Sequence, residues 1–554
     1  MVRLPLRGAR NRMEGAGMRS SLFLFLAIFA AMVAMTALAA DSAPNKFNIH
    51  SASGALSGTE EYTLEKQAGG FVLAGKTRLQ QPQPTLELVH KTTLAADWSL
   101  VRYQLQATVA GEAQTVDTWR DGAQIQMKAS GGSQSMEKQA PFTPATVVLD
   151  NLVAGHYAVL VEQMLRTPGQ KLAVLVPQRL SLLSAQPVAA GEDRATLGGK
   201  PLRVRKYTME LATLPVEFWI DAADHELMRV LVPLQQIEMV REGFELEKKQ
   251  PPASAKPAAY VEREVKFPSG SLQFPATLCL PKNSAGKAPL VVLVQGSGPH
   301  DGDETVGANK PFRDIAHALA ASGIATLRYD KRTYAFPAQI DLKNVTLDDE
   351  VTDDAVAALN YAATLPEAEA SRLFLLGHSL GGTMAPYIAE RYGKLRGLIL
   401  LAAGARPIDQ ILLEQLRMEM KEDGEAEAEI EAAVAQRKKL FAELRSGQWQ
   451  EPFGGVPAVY WRDWLSRDPA AELKKLKLPV LLLQGGRDTQ VSTADYELLK
   501  TALAARPAPH QERLFPELNH LFIAAKTGKV AEYTIPGRVD ARVTVTIAAF
   551  VKKD

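Results

Sequence analysis

The stretch Leu373-Phe374-Leu375-Leu376-Gly377-His378-Ser379-Leu380-Gly381-Gly382-Thr383-Met384-Ala385-Pro386-Tyr387-Ile388 decides how this chain is read. Four consecutive apolar residues describe a strand covered on both faces, as a parallel strand is. The strand runs directly into Gly-x-Ser-x-Gly and then into residues that begin a helix. The turn between them is sharp and its backbone strained, and glycine at 377 and 381 removes side chains that would collide there. The Ser379 hydroxyl is lifted above the sheet. The Leu380 N–H and the amino terminus of the following helix face any negative charge that develops beside it. Ser379 is therefore the candidate nucleophile and Leu380 a candidate oxyanion donor.

A serine hydroxyl needs a base, and the base needs an acid that holds its tautomer. Downstream, Leu481-Leu482-Leu483-Gln484-Gly485-Gly486-Arg487-Asp488 is a buried strand ending in a glycine turn that presents Asp488. Phe515-Pro516-Glu517-Leu518-Asn519-His520-Leu521-Phe522 then sets His520 in a loop after the last strand. The order Ser, Asp, His suits a strand–turn–helix serine site. The chain has nine histidines, and position after the acid singles out His520. Glu517 is the alternative acid, too close to His520 in sequence to be preferred. The second oxyanion donor is expected after the apolar run 290–294, in Gln295-Gly296-Ser297-Gly298-Pro299-His300-Asp301-Gly302-Asp303-Glu304, with the Ser297 N–H as candidate. His300, Asp301, Asp303 and Glu304 invite a metal reading, but no second ligand cluster supports it. Neither metal nor cofactor is expected.

Outward from this site, apolar strands at 290–294, 324–328, 373–376, 398–401 and 480–483 alternate with helical segments at 312–321 and 347–365. This is the sequence form of an open α/β sheet. Acids at Asp348, Asp349 and Glu350 open the second helix, where its dipole favours them. From 407 to 469 the alternation stops. Ile408, Leu412, Leu416 and Met420 recur at helical spacing there, and a long charged helix follows. The insertion reads either as a lid or as a plain amphipathic hairpin. Its aromatic group, Trp449, Phe453, Tyr460, Trp461 and Trp464, reads equally as an acyl-pocket wall or as glue to the core.

Before the sheet, residues 41–248 follow period two. Val101, Tyr103, Leu105, Ala107 and Val109 alternate with polar residues, as do Tyr62 and Leu64, and Val216, Phe218 and Ile220. The expectation is a mainly antiparallel β domain with one solvated face, similar in pattern to the curved sheets of exported lipid-carrier-like domains. Gln250-Pro251-Pro252-Ala253-Ser254-Ala255-Lys256-Pro257 marks a linker over 249–259. Residues 1–40 read as a signal peptide: Arg10, Arg12 and Arg19 precede the apolar run 22–40, which ends in Ala37-Leu38-Ala39. An uncleaved membrane anchor is the alternative.

The whole-chain numbers agree with export of a globular protein. There are 554 residues, 46% hydrophobic and 23% charged, with formal net charge +1, so no field draws in nucleic acid. The single cysteine, Cys279, excludes an intramolecular disulfide and lies in an alternating strand as a small buried hydrophobe.

Gly296-Ser297-Gly298-Pro299, Asp301, Asp303-Glu304, Asn309-Lys310-Pro311-Phe312, Arg328-Tyr329-Asp330-Lys331-Arg332, Gly377-His378-Ser379 and Gln484-Gly485-Gly486-Arg487-Asp488 together resemble one bacterial α/β-hydrolase family. It comprises esterases and serine aminopeptidase-like or prolyl-oligopeptidase-like hydrolases. The resemblance covers 260–554 and implies an α/β-hydrolase fold with a helical lid insertion at 407–469. It also implies that Ser379, Asp488 and His520 form the triad. Members usually carry a basic residue where Gly302 sits. The resulting expectation is an exported serine hydrolase that cleaves carboxylic esters through an acyl-enzyme. A small-molecule ester is the expected partner. The alternatives are a peptidase, or an envelope ligand-binding protein with secondary hydrolase activity. The amino-terminal region is too short for a propeller gate and shows no blade period.

Overall fold

The computed structural model describes residues 44–553 apart from 52–55, 81–84, 110–111, 132–133, 212–213, 234, 236, 248–258, 283–285, 342, 423–424 and 454–455. The expected signal peptide and nearly all of the expected linker lie outside the described residues.

The later part of the chain builds an eight-stranded sheet. Its strands are β1 (Tyr260–Ser269), β2 (Leu272–Pro281), β3 (Ala288–Val294), β4 (Ala325–Tyr329), β5 (Ala368–His378), β6 (Gly397–Leu401), β7 (Val480–Gly485) and β8 (His510–Phe515). They lie in the order β1-β2-β4-β3-β5-β6-β7-β8. The first two strands run antiparallel and the rest are parallel. Every residue of β3, β6 and β7 is buried, which is why these strands read as unbroken apolar runs. Successive side chains go to opposite faces. Leu290, Val292 and Val294 join the core under α2 (Asp353–Thr364) and α3 (Leu380–Tyr392). Val291 and Leu293 join the core under α1 (Pro311–Ala321) and the carboxy-terminal helix Ala541–Lys552. Cys279 is fully buried, and burial pushes its thiol up to about 12, as suits a packing residue.

Between β6 and β7 stand α4 (Ile408–Glu422), α5 (Glu427–Ser446), α6 (Ala458–Ser466) and α7 (Pro469–Lys475). They carry small cores of their own, one around Leu416, Met420 and Ile430, the other around Phe441, Phe453 and Trp461. Phe453 and Trp461 lie inside the insertion, and Tyr460 packs into the main core. For these three aromatics the structural role is the observed one.

The amino-terminal unit is a fourteen-stranded antiparallel sheet in which Asn45–His50 pairs with both Leu56–Gln67 and Ile237–Arg241. The unit is mainly antiparallel, as expected, with two further elements beside the large sheet. Ala154–Arg166 is a helix, buried along most of its length. Its Tyr157, Leu160, Val161 and Met164 have helical spacing, which period-two reading passes over. Thr146–Val148, Leu172–Val176 and Ser181–Ala185 form a second, three-stranded sheet with one parallel pair. Val101 also departs from expectation. A register irregularity between Thr93 and Leu94 turns Leu100 inward and leaves Val101 41% exposed. The strand Leu214–Asp221 of this unit lies against the turn Val530–Thr534 of the later part.

Candidate active site

Ser379 sits at the carboxyl end of β5, where the chain turns into α3. Its φ of 51° and ψ of −117° are a strained pair for a residue with a side chain. The surroundings hold it there. Its N–H donates to Leu401 O at 2.9 Å, and its carbonyl accepts from the Thr383 N–H at 2.9 Å. The two flanking glycines have no alternative. A β-carbon on Gly377 would stand 2.2 Å from Gly381 O, and one on Gly381 would stand 2.2 Å from Val294 O.

Asp488 follows β7, and His520 lies in the loop after β8. His520 Nδ1 and Asp488 Oδ2 are 2.7 Å apart, and the carboxylate is completely buried. Asp488 Oδ2 also accepts from Gln484 Nε2 at 3.0 Å, while Oδ1 accepts the N–H groups of Gln490 and Val491 at 2.9 Å each. With every lone pair oriented, the carboxylate is a fixed acceptor. It keeps the imidazole proton on Nδ1 and leaves Nε2 as a base. Asn519 Oδ1 shapes the loop by accepting the Leu521 and Ile523 N–H groups. Glu517, the alternative acid, faces solvent and pairs with Arg542.

The loop after β3 closes over this corner. A β-carbon on Gly296 would lie 3.1 Å from Ser379 Cβ and 3.6 Å from Oγ, so the Gly296 backbone stands against the serine. The Gly296 N–H donates to Glu304 Oε1 at 2.7 Å, and its carbonyl accepts from Lys331 Nζ at 2.8 Å. Lys331 is 3% exposed and pairs with Glu350 at 2.6 Å; Glu350 also accepts the Tyr460 hydroxyl of α6. The residues of the metal reading turn to separate partners. Asp303 pairs with Arg328 and Lys310, Asp301 accepts from Thr305, and His300 Nε2 meets Ser297 O. Among the described residues no group of three or more His, Cys, Asp or Glu is arranged to hold a metal ion.

His378, the variable residue of the motif, joins the two loops. Its Nδ1 is 2.9 Å from Glu304 Oε1, and its Nε2 is 2.9 Å from His520 O. Burial works against charge on His378, yet the Glu304 carboxylate lifts the imidazole above its ordinary value by its charge and its hydrogen bond. Burial likewise opposes ionisation of Glu304, but the charge and hydrogen bond of His378 hold it below the usual carboxylate range. Glu304, His378 and Lys331 carry no role in the motif reading.

Residues 291–524 match the family model described as serine aminopeptidase, S33. The match spans β3 to the His520 loop, and the strand order is that of the fold implied by the motifs. The carboxy-terminal half has the α/β-hydrolase fold. The chain is 39% identical over 281 residues to "Esterase EstD" of Thermotoga maritima. That alignment covers 50% of this chain and 65% of the relative, so the chain spans just under two thirds of the relative's length. Among solved structures, the chain is similar over about half its length to Est1E from Butyrivibrio proteoclasticus. The identity is 17% and the TM-score 0.34, over 52% of this chain and 96% of that one. It is also similar to a dienelactone hydrolase from Anabaena variabilis, at 17% identity and TM-score 0.33, over 52% and 96% respectively.

Proposed function

We propose that the chain is a serine hydrolase that cleaves carboxylic esters through an acyl-enzyme, with Ser379, Asp488 and His520 as its triad. The observation that carries this reading is the buried 2.7 Å bond from Asp488 to His520 Nδ1, with the His520 carbonyl held 2.9 Å from the ring of His378, the residue before the strained Ser379. Ser379 Oγ attacks the ester carbonyl. His520 Nε2 takes the proton and then delivers it to the leaving alcohol. The Leu380 and Ser297 N–H groups stabilise the tetrahedral oxyanion. Water, activated by the same imidazole, then releases the acid. Similarity to an esterase over half the chain favours esters over peptides. The family description, which names an aminopeptidase, keeps peptides in the test.

The basic and apolar pattern of the first 40 residues supports export to the bacterial envelope, and the position of the helical insertion in the chain, between β6 and β7, supports a lid role for it. The deciding experiment pairs fluorophosphonate labelling with turnover of p-nitrophenyl esters of increasing acyl length and of aminoacyl p-nitroanilides. The expected outcome is a label on Ser379 and faster turnover of short or medium esters. Turnover confined to the anilides would replace the ester reading with a peptidase, and a label elsewhere would remove the nucleophile assignment. Amino-terminal sequencing of native material is expected to begin near Ala40 or Asp41, and a mature chain that retains the apolar run 22–40 would refute export.

A further inference from the structure

Two buried ion pairs converge on one glycine. Lys331, paired with Glu350, grips the carbonyl of Gly296. Glu304, paired with His378, grips its N–H. Neither pair belongs to the triad. We propose that Lys331 and Glu304 are positioning residues that fix the peptide planes on either side of Gly296 and so aim the Ser297 N–H at the developing oxyanion. This rests on the serine-hydrolase reading above.

The argument is geometric. The Gly296 carbonyl and the Ser297 N–H belong to one planar trans peptide, so they point in opposite directions. An ammonium fixed on the carbonyl side fixes the direction of the N–H. Glycine has the widest choice of φ and ψ, so without such grips this peptide could rotate away from Ser379. A positive charge on the carbonyl also polarises the peptide and strengthens its N–H as a donor. The second grip reaches the base as well. Both ring nitrogens of His378 face acceptors, the Glu304 carboxylate and the His520 carbonyl. A neutral imidazole has one N–H and satisfies only one of them, so His378 here is an imidazolium. Lys331, Gly296, Glu304, His378 and His520 thus form one chain of charge-assisted contacts. It registers the oxyanion donor and the general base against the same serine. Buried ion pairs are weak contributors to stability, and apolar replacements often match them. Two such pairs meeting on one glycine are better explained by geometry at the site than by stability.

The test uses the full chain with a p-nitrophenyl ester. Lys331→Met is combined with Glu350→Gln, so that no buried charge is left alone, and Glu304→Gln is made separately. Each is expected to lower kcat by on the order of 10²-fold with KM within about twofold. Nitrogen-15 NMR of labelled histidines across pH is expected to show one ring that stays protonated on both nitrogens to higher pH than the others, a behaviour absent from Glu304→Gln and from His378→Asn. Wild-type kcat in both variants, or a rise in KM at constant kcat, would overturn the proposal. So would the absence of such a ring from the wild type. Ser379→Ala, measured alongside, separates the two readings. If it keeps activity, the serine mechanism itself is wrong. If it is inactive while the two variants turn over normally, only the positioning proposal falls. Should the double variant not fold, Glu304→Gln and the NMR signal decide alone.

Discussion

Asp488 and His520 are joined by a 2.7 Å hydrogen bond whose carboxylate is shut off from solvent, although 32 residues separate them. Because the acceptor is fixed by three further N–H donors, its charge is what holds the imidazole tautomer. Asp488→Asn is expected to lower kcat by on the order of 10³-fold or more while the fold persists. Ser379→Ala and His520→Ala are each expected to cost at least as much. The double Ser379→Ala with His520→Ala should be little worse than either single change, since the groups act as a unit. Losses that multiply would show two independent roles and defeat the mechanism.

Glu517 lies three residues before His520 but pairs with Arg542 in solvent. Glu517→Gln should leave both kcat and the unfolding midpoint unchanged. A large loss of turnover in steady-state kinetics would return Glu517 to consideration as the acid.

The Glu304–His378 pair gives stability a defined pH response. His378 is raised above its ordinary 6.5, so its contribution is complete below that value and is lost as pH climbs through the raised one. Glu304 is lowered from 4.5, so its contribution is complete above that value and is lost as pH drops through the lowered one. Both are complete between 4.5 and 6.5. Urea denaturation across pH should show the gap between wild type and Glu304→Gln widest in that interval and narrower at both extremes. A gap independent of pH would mean that the pair is not ionised.

Gly381→Ala puts a β-carbon 2.2 Å from Val294 O, a backbone atom that cannot step aside. The expected result is an insoluble protein or a loss of more than about 3 kcal/mol, with activity gone. A thermal melt at the wild-type temperature would show that the turn is looser than described.

The two halves have separate cores: the buried clusters of the sheet after residue 260 share no member with those of the earlier unit. A chain beginning at Ala258 is therefore expected to unfold cooperatively on its own and to hydrolyse a p-nitrophenyl ester. It loses the contact of Leu214–Asp221 with the Val530–Thr534 turn, which carries Tyr533, a partner of Gln490 beside Asp488. A folded but inactive product would make the amino-terminal unit part of the site.

The sequence by itself determined the α/β half and the positions of Ser379, Asp488 and His520. The physical reason is locality. Doubly covered strands must be apolar at every position, a serine turn of this shape requires glycine at 377 and 381, and the acid and base each follow a strand whose end is marked by Gly or Pro. The antiparallel character of the first unit was legible for the same reason, through period-two burial in residues such as Tyr103, Leu105 and Ala107. The helix Ala154–Arg166 and the outward turn of Val101 were not read, because period-two reading passes over the helical spacing of Tyr157, Leu160, Val161 and Met164, and a register shift leaves no mark in composition. What only the tertiary structure decided is which charged groups meet. Lys331 reaches Gly296 across 35 residues, Glu304 reaches His378 across 74, and His378 reaches the His520 carbonyl across 142. No periodicity links such positions. They are brought together by the β4-β3-β5 strand order and by the need of each buried charge for a partner.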